Sequence, residues 1–224
     1  MINGIINVYK ERGFTSFDVV AKLRGILHER KIGHTGTLDP EATGVLPVCI
    51  GNATKVCELL TDKDKVYRTV MHLGITTDTQ DMTGTVKEDR SREAVLLKEQ
   101  TVEAAILQFV GDYEQIPPMY SALKVNGKKL CDLARAGIEV ERKARTVKIL
   151  SIEIEKINLP YVTMQVHCSK GTYIRTLCAD IGEKLGCGAC MEQLLRIRSG
   201  SFTLETALRL SEIQKLADED RLEE

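Results

Sequence analysis

The segment Gly33-His34-Thr35-Gly36-Thr37-Leu38-Asp39-Pro40-Glu41-Ala42-Thr43-Gly44-Val45-Leu46-Pro47-Val48 constrains the fold of this chain more than any other stretch. Three glycines, two prolines and three threonines within these sixteen residues cannot continue a regular helix or strand. The segment reads as a loop whose glycines allow unusual backbone angles or close approach of a ligand, leading into a buried strand over Val45–Ile50. Such loops, held by strands, are where reactive side chains tend to sit. Asp39 is the acid within it, and Pro40 biases Asp39 towards an extended conformation. By residue type alone an Asp before Pro is a turn former. Gly33-x-x-Gly36 is not followed by the helix that a KH clamp needs, nor by the Gly-Lys-Ser/Thr of a phosphate-binding P-loop.

Around this loop the pattern alternates short strands with occasional helices. Residues 5–9 read as a strand, and Thr15-Ser16 caps a helix whose apolar face is Val19, Val20, Leu23, Ile26 and Leu27. Val66–Leu73 reads as a strand, 76–92 as a polar loop, and Thr101 as the start of a helix carrying Val102, Ala105, Ile106, Phe109 and Val110. Asn126-Gly127 signals a two-residue hairpin, followed by a short helix that Gly137 stops. Val147 and Ile149, then Ile152 and Ile154, alternate with a phase slip between them, which predicts a long strand with a bulge. Val162–Cys168 alternates cleanly, Thr172–Leu185 is a helix ended by Gly186, and two short strands follow near 195–197 and 201–204. Ser211 with Gln214 suggests a capping box for a last helix. This order predicts an α+β fold with a mostly antiparallel mixed sheet, with residues 1–210 as one domain and 211–224 as an acidic helix or tail.

With 224 residues, 43% hydrophobic and 28% charged, the chain resembles an ordinary globular protein. No apolar run is long enough to span a bilayer, and no secretory signal is visible, so a cytoplasmic location without membrane contact is expected. The seven scattered cysteines then read as reduced thiols. Cys187-Gly188-Ala189-Cys190 lacks the further ligands a zinc site requires. The net charge of −1 hides an uneven distribution: Lys124–Lys148 holds eight Lys/Arg against three Asp/Glu, and Glu205–Glu224 three against seven. The basic stretch is a candidate phosphate-facing surface.

Five blocks, in order, resemble the TruB family of tRNA pseudouridine synthases. They are Gly4–Lys10 with Thr15–Asp18, Gly33–Pro47, Lys65–Arg68, Pro117–Lys124 and Ser169–Thr176, and the resemblance covers about residues 3–204. It implies the pseudouridine synthase fold, with 117–148 as an inserted RNA-binding thumb. It also implies isomerisation of the tRNA T-loop uridine at position 55 without metal or organic cofactor, by a monomer that grips the T-arm. Residue by residue, it makes Asp39 the catalytic carboxylate, Arg175 its paired guanidinium and Tyr67 the ring stacked on the target base. His34 becomes a contact to nucleotides displaced as the loop opens, and Tyr173, Leu194 and Lys10 become pocket positions. Two departures stand out. Lys10-Glu11 replaces a Lys-Pro pair, and the small C-terminal RNA-binding domain of most bacterial members is not evident after about residue 205.

The implied reaction breaks a C–N glycosidic bond and forms a C–C bond. A carboxylate can serve it by attacking the base, attacking the sugar, or removing a sugar proton, and the residues do not choose among these. A different reading keeps the RNA and changes the purpose: a tRNA-binding chaperone whose catalysis is secondary. An Asp39→Asn variant separates the two, because a chaperone would still remodel tRNA.

Overall fold

The computed structural model describes residues 2–219 and 221. In chain order the strands and helices are β1 (Gly4–Lys10), α1 (Ser16–Leu27), β2 (Ile32–His34), β3 (Thr43–Ile50), α2 (Cys57–Thr61), β4 (Lys65–Leu73), β5 (Ile75–Thr77) and β6 (Val86–Asp89). Then come α3 (Ser91–Ala94), α4 (Glu99–Leu107), β7 (Gly111–Gln115), β8 (Lys124–Val125), β9 (Lys128–Lys129), α5 (Leu130–Arg135) and β10 (Arg145–Asn158). β11 (Tyr161–Cys168), α6 (Ile174–Lys184), β12 (Ala189–Ser199), β13 (Phe202–Thr203) and α7 (Leu210–Asp218) complete the chain. The fold is α+β. Among the strand pairings with a described register, β3–β12 is parallel and the others are antiparallel.

The chain forms two compact units, one of Met1–Arg68 with Leu194–Glu224 and one of Thr69–Gln193. In the first, β3 lies between β1 and β12, β2 also pairs with β3, and β13 pairs with β12. Thr15 caps α1 through a reciprocal pair of bonds, its hydroxyl taking the Asp18 amide and the Asp18 carboxylate taking the Thr15 amide. The helix buries Val19, Val20, Leu23 and Leu27 against Val8, Leu46, Val48 and Ile50 of the sheet, with Ile213 of α7 closing the cluster. Each such side chain removed from water contributes about 1.5–3 kcal/mol.

In the second unit the order is β4-β11-β10-β7; Val162, Met164, Val166 and Cys168 of β11 are buried, as are Leu177, Cys178 and Ile181 of α6. The predicted bulge is real: the β10–β11 register shifts between Ile149 and Ser151, and again between Ile154 and Lys156. Asn126 and Gly127 both take positive φ, 51° and 81°, as a tight hairpin turn requires.

Several boundaries differ from expectation. The expected loop over 33–48 is irregular only across 35–42, because its two ends pair with each other as β2 and β3. Pro47 stays inside β3 and still gives its carbonyl to the Thr35 amide at 3.0 Å. The polar stretch 76–92 contains β6, which pairs with β5, and the start of the short helix α3. All four β6 residues are exposed, so no alternation marked the strand. The helix expected from Thr101 begins at Glu99 and ends at Leu107, which leaves Phe109 and Val110 beyond it. The strand expected at 195–197 begins at Ala189 and includes Cys190. The last helix begins at Leu210, and its first turn is closed by the Glu212 carboxylate accepting from the Arg209 amide at 2.7 Å rather than by Ser211 and Gln214. Of the acidic tail, residues 220 and 222–224 lie outside the described residues.

Candidate active site

Asp39 lies half-buried in the loop between β2 and β3, between the buried side chains of Leu38 and Ala42. The loop is tied at each step. The Asp39 carbonyl accepts the Ala42 amide at 3.0 Å, closing a tight turn through Pro40 and Glu41. The Leu38 amide donates to the Ser16 hydroxyl at the start of α1 at 2.9 Å. The Pro40 carbonyl takes the Gly13 amide at 2.9 Å. Backbone ties on both sides of one residue restrict where its side chain can point, and that is what a reacting group needs.

Lys10 ends β1 beneath this loop. It is fully buried, and its ammonium donates to the carbonyls of Phe14 at 2.6 Å, Pro40 at 3.0 Å and Glu11 at 3.1 Å. Three carbonyls match the three ammonium hydrogens. Burial lowers its pKa from 10.5 to about 8, and the negative charges of Asp39 and Glu41 oppose that fall. Lys10 therefore does not line an open pocket, as the resemblance implied. It holds the Asp39 loop from below.

His34 is the last residue of β2, and its Nδ1 is buried without a hydrogen-bond partner among the described residues. Burial, together with the positive charge of Arg196, lowers its pKa below 6.5, so the ring is neutral at pH 7. Tyr67, on β4, is 8% exposed, and Leu194, on β12, is half-buried.

The second unit holds the other two expected residues. Tyr173 caps α6, and its backbone is gripped at both ends by Gln115 of β7: the Tyr173 amide donates to Oε1 at 2.8 Å and its carbonyl accepts Nε2 at 3.0 Å. Gln115 is 1% exposed, so these bonds meet no competition from water. Arg175, in the first turn of α6, is 5% exposed. Its Nη2 donates to the Tyr120 carbonyl at 2.5 Å, its Nη1 lies 3.8 Å from Asp81, and its guanidinium carbon is 6.0 Å from the centre of the Tyr173 ring. Asp81 is itself held, its other oxygen taking Thr79 Oγ1 at 2.7 Å, the Thr83 amide at 2.9 Å and Thr83 Oγ1 at 2.5 Å.

Thus Lys10, at the end of β1, is bonded to the loop that bears Asp39, and Tyr173 and Arg175 share one helix start. Sequence reasoning missed Asp81, Gln115 and Arg196. Asp81 stood in a stretch read as polar loop, and the clue available was its spacing from Thr79 and Thr83, suited to self-bonding turns. Among the described residues no three His, Cys, Asp or Glu side chains converge as metal ligands, and no helix is long and apolar enough to cross a membrane.

Similar architecture occurs in solved structures. A chain in the crystal structure of a Cbf5–Nop10–Gar1 complex matches 97% of this chain with a TM-score of 0.76 and 35% identity. A chain in that of the archaeal box H/ACA sRNP Nop10–Cbf5 complex matches 98% with a TM-score of 0.73 and 32% identity. This chain spans about half the length of those two, 56% and 55% respectively. The model of the TruB family pseudouridylate synthase N-terminal domain matches residues 24–174, and that of the tRNA pseudouridylate synthase B C-terminal domain matches 175–224. The tRNA pseudouridine synthase B of Lachnoclostridium phytofermentans is 59% identical over all of this chain and 74% of its own length. That of Alkaliphilus oremlandii is 53% identical over 96% of this chain and 71% of its own. The chain belongs to the TruB family of pseudouridylate synthases.

Proposed function

We propose that this protein is a tRNA pseudouridine synthase that isomerises the T-loop uridine at position 55. The N1–C1′ bond breaks, the uracil turns, and C5 bonds to C1′; the C5 proton leaves and N1 ends protonated. Asp39 is the carboxylate that drives the exchange. The observation that carries this reading is the strapping of Asp39: a half-buried acid on a loop tied on both sides, above a buried ammonium, in a chain of this family.

A uridine inside a folded loop must be extruded, at a cost of a few kcal/mol. Stacking on Tyr67 returns about 1–3 kcal/mol of that. His34, neutral and with Nδ1 unspent, suits a contact to a displaced nucleotide. Tyr173 and Leu194 are pocket positions, and Arg175 is the guanidinium that the family resemblance pairs with the reacting carboxylate. Residues 117–148 form the RNA-gripping thumb. In support, Lys124, Lys128 and Lys129 line a surface cavity of about 540 Å³ beside the β8–β9 hairpin and α5. The protein acts as a monomer in the cytoplasm, on the T-arm.

The test uses a T-arm hairpin carrying [5-³H]uridine at the target, with enzyme in excess. Tritium release together with mapped pseudouridine supports the reading, and Asp39→Asn lowers the rate by more than about 10³-fold. No pseudouridine from the unaltered protein at stoichiometric concentration overturns it.

A further inference from the structure

Arg196 lies on β12, far along the chain from the Asp39 loop, and is 1% exposed. Its Nε donates to the Val45 carbonyl at 2.7 Å, and its Nη2 donates to the Gly36 carbonyl at 3.2 Å. Gly36 precedes Asp39 and Val45 follows it, so one planar guanidinium ties the two arms of the loop together. The backbones meet as well. Arg196 pairs with Gly44 in the parallel β3–β12 ladder, and a Cβ on Gly44 would stand 2.2 Å from the Arg196 carbonyl oxygen. A buried guanidinium is costly to remove from water unless it is well bonded. Both of the bonds described here go to the loop's backbone.

We propose that Arg196 is a positioning residue for the reaction, setting the Asp39 carboxylate through the carbonyls of Gly36 and Val45. This rests on the function proposed above. Two loop ends pulled to one rigid fork bring Asp39 to a single place, and an ammonium cannot copy this because it lacks the fixed two-pronged geometry. Arg196 touches backbone and not the reacting atoms, so it acts by placement. Its charge also reaches His34 and Lys10, lowering the pKa of each. At Lys10 it works with burial and against Asp39, Glu41 and Asp18.

Arg196→Lys and Arg196→Met are compared with the unaltered protein by three measurements. The first is single-turnover pseudouridine formation over a range of T-arm hairpin concentrations. The expected result is a maximal rate lowered roughly 100-fold in Arg196→Met, with the half-saturating RNA concentration within threefold. Arg196→Lys recovers only part of the loss. The second is amide hydrogen exchange. Ala42 and Gly13, whose amides bond the Asp39 and Pro40 carbonyls, exchange at least tenfold faster in Arg196→Met, while Leu23 in the core of α1 does not change. The third is the His34 titration by NMR, which moves upward in Arg196→Met and stays in place in Arg196→Lys. A simple loss of stability would not move the first and third together in this way. Protected loop amides, or a maximal rate within twofold, overturn the proposal. If the unaltered protein forms no pseudouridine, the functional reading fails, and the exchange and titration results still decide whether Arg196 holds the loop. Should Arg196→Met not fold, Arg196→Lys alone decides: loop exchange and rate equal to the unaltered protein overturn the proposal.

Discussion

At the scale of single residues, Lys10 gives the clearest consequence of burial. Its ammonium is held by three carbonyls, yet desolvation brings its pKa from 10.5 down to about 8. Between these two values the folded chain binds fewer protons at this position than the unfolded chain does. Stability contributed through Lys10 therefore rises as pH goes from about 8 to 10.5. The urea-unfolding free energy of the unaltered protein minus that of Lys10→Met is expected to increase across this window. Turnover moves the other way. Above about pH 8 the loop loses a positive charge beside Asp39, so the rate falls, and this alkaline limb is missing in Lys10→Met. Asp81 is a buried acid held by hydrogen bonds. Asp81→Ala removes the acceptor of three hydrogen bonds from Thr79 and Thr83 and a carboxylate that lies 3.8 Å from the buried Arg175 guanidinium. A loss of about 2–4 kcal/mol in urea unfolding is expected.

At the scale of elements, α1 is set by its ends and its stripe. The reciprocal Thr15–Asp18 cap starts it, and Thr15→Ala should cost about 1 kcal/mol, read as a lower urea midpoint. The β2–β3 connection depends more on backbone than on side chain. Gly44 has φ of 107°, and no Cβ fits against Arg196. Gly44→Ala is expected to cost about 2–4 kcal/mol by thermal or urea unfolding, because the neighbour it meets is backbone and cannot swing aside. The stripe of α1, the alternation of β11, the slip in β10 and the Asn126-Gly127 turn were all legible in the sequence, since each rests on local periodicity or turn chemistry. The strand β6 was not, because all its side chains face water and only its ladder with β5 makes it a strand.

At the scale of the whole molecule, charge is unevenly distributed along a chain whose net is −1. The exposed Lys128 and Lys129 sit in the basic stretch assigned to the thumb. Replacing both with Ala should weaken binding to a T-arm hairpin and reduce the slope of log affinity against log salt by roughly one for each phosphate no longer neutralised. The single-turnover rate at saturating RNA should stay the same, because neither residue belongs to the Asp39 loop. Filter binding over a range of salt concentrations measures the first effect and rapid quench the second.

The sequence by itself determined the α+β class, the loop that bears Asp39 and, through five ordered blocks, the family. These are properties of neighbouring residues and can be read along the chain. Only the tertiary structure decided what holds the candidate residues in place. Arg196 reaches carbonyls 151 and 160 residues away, and Gln115 grips Tyr173 across 58. Many of these bonds end on backbone atoms, which every residue carries. No residue type, spacing or period announces them, and folding alone brings donor and acceptor together.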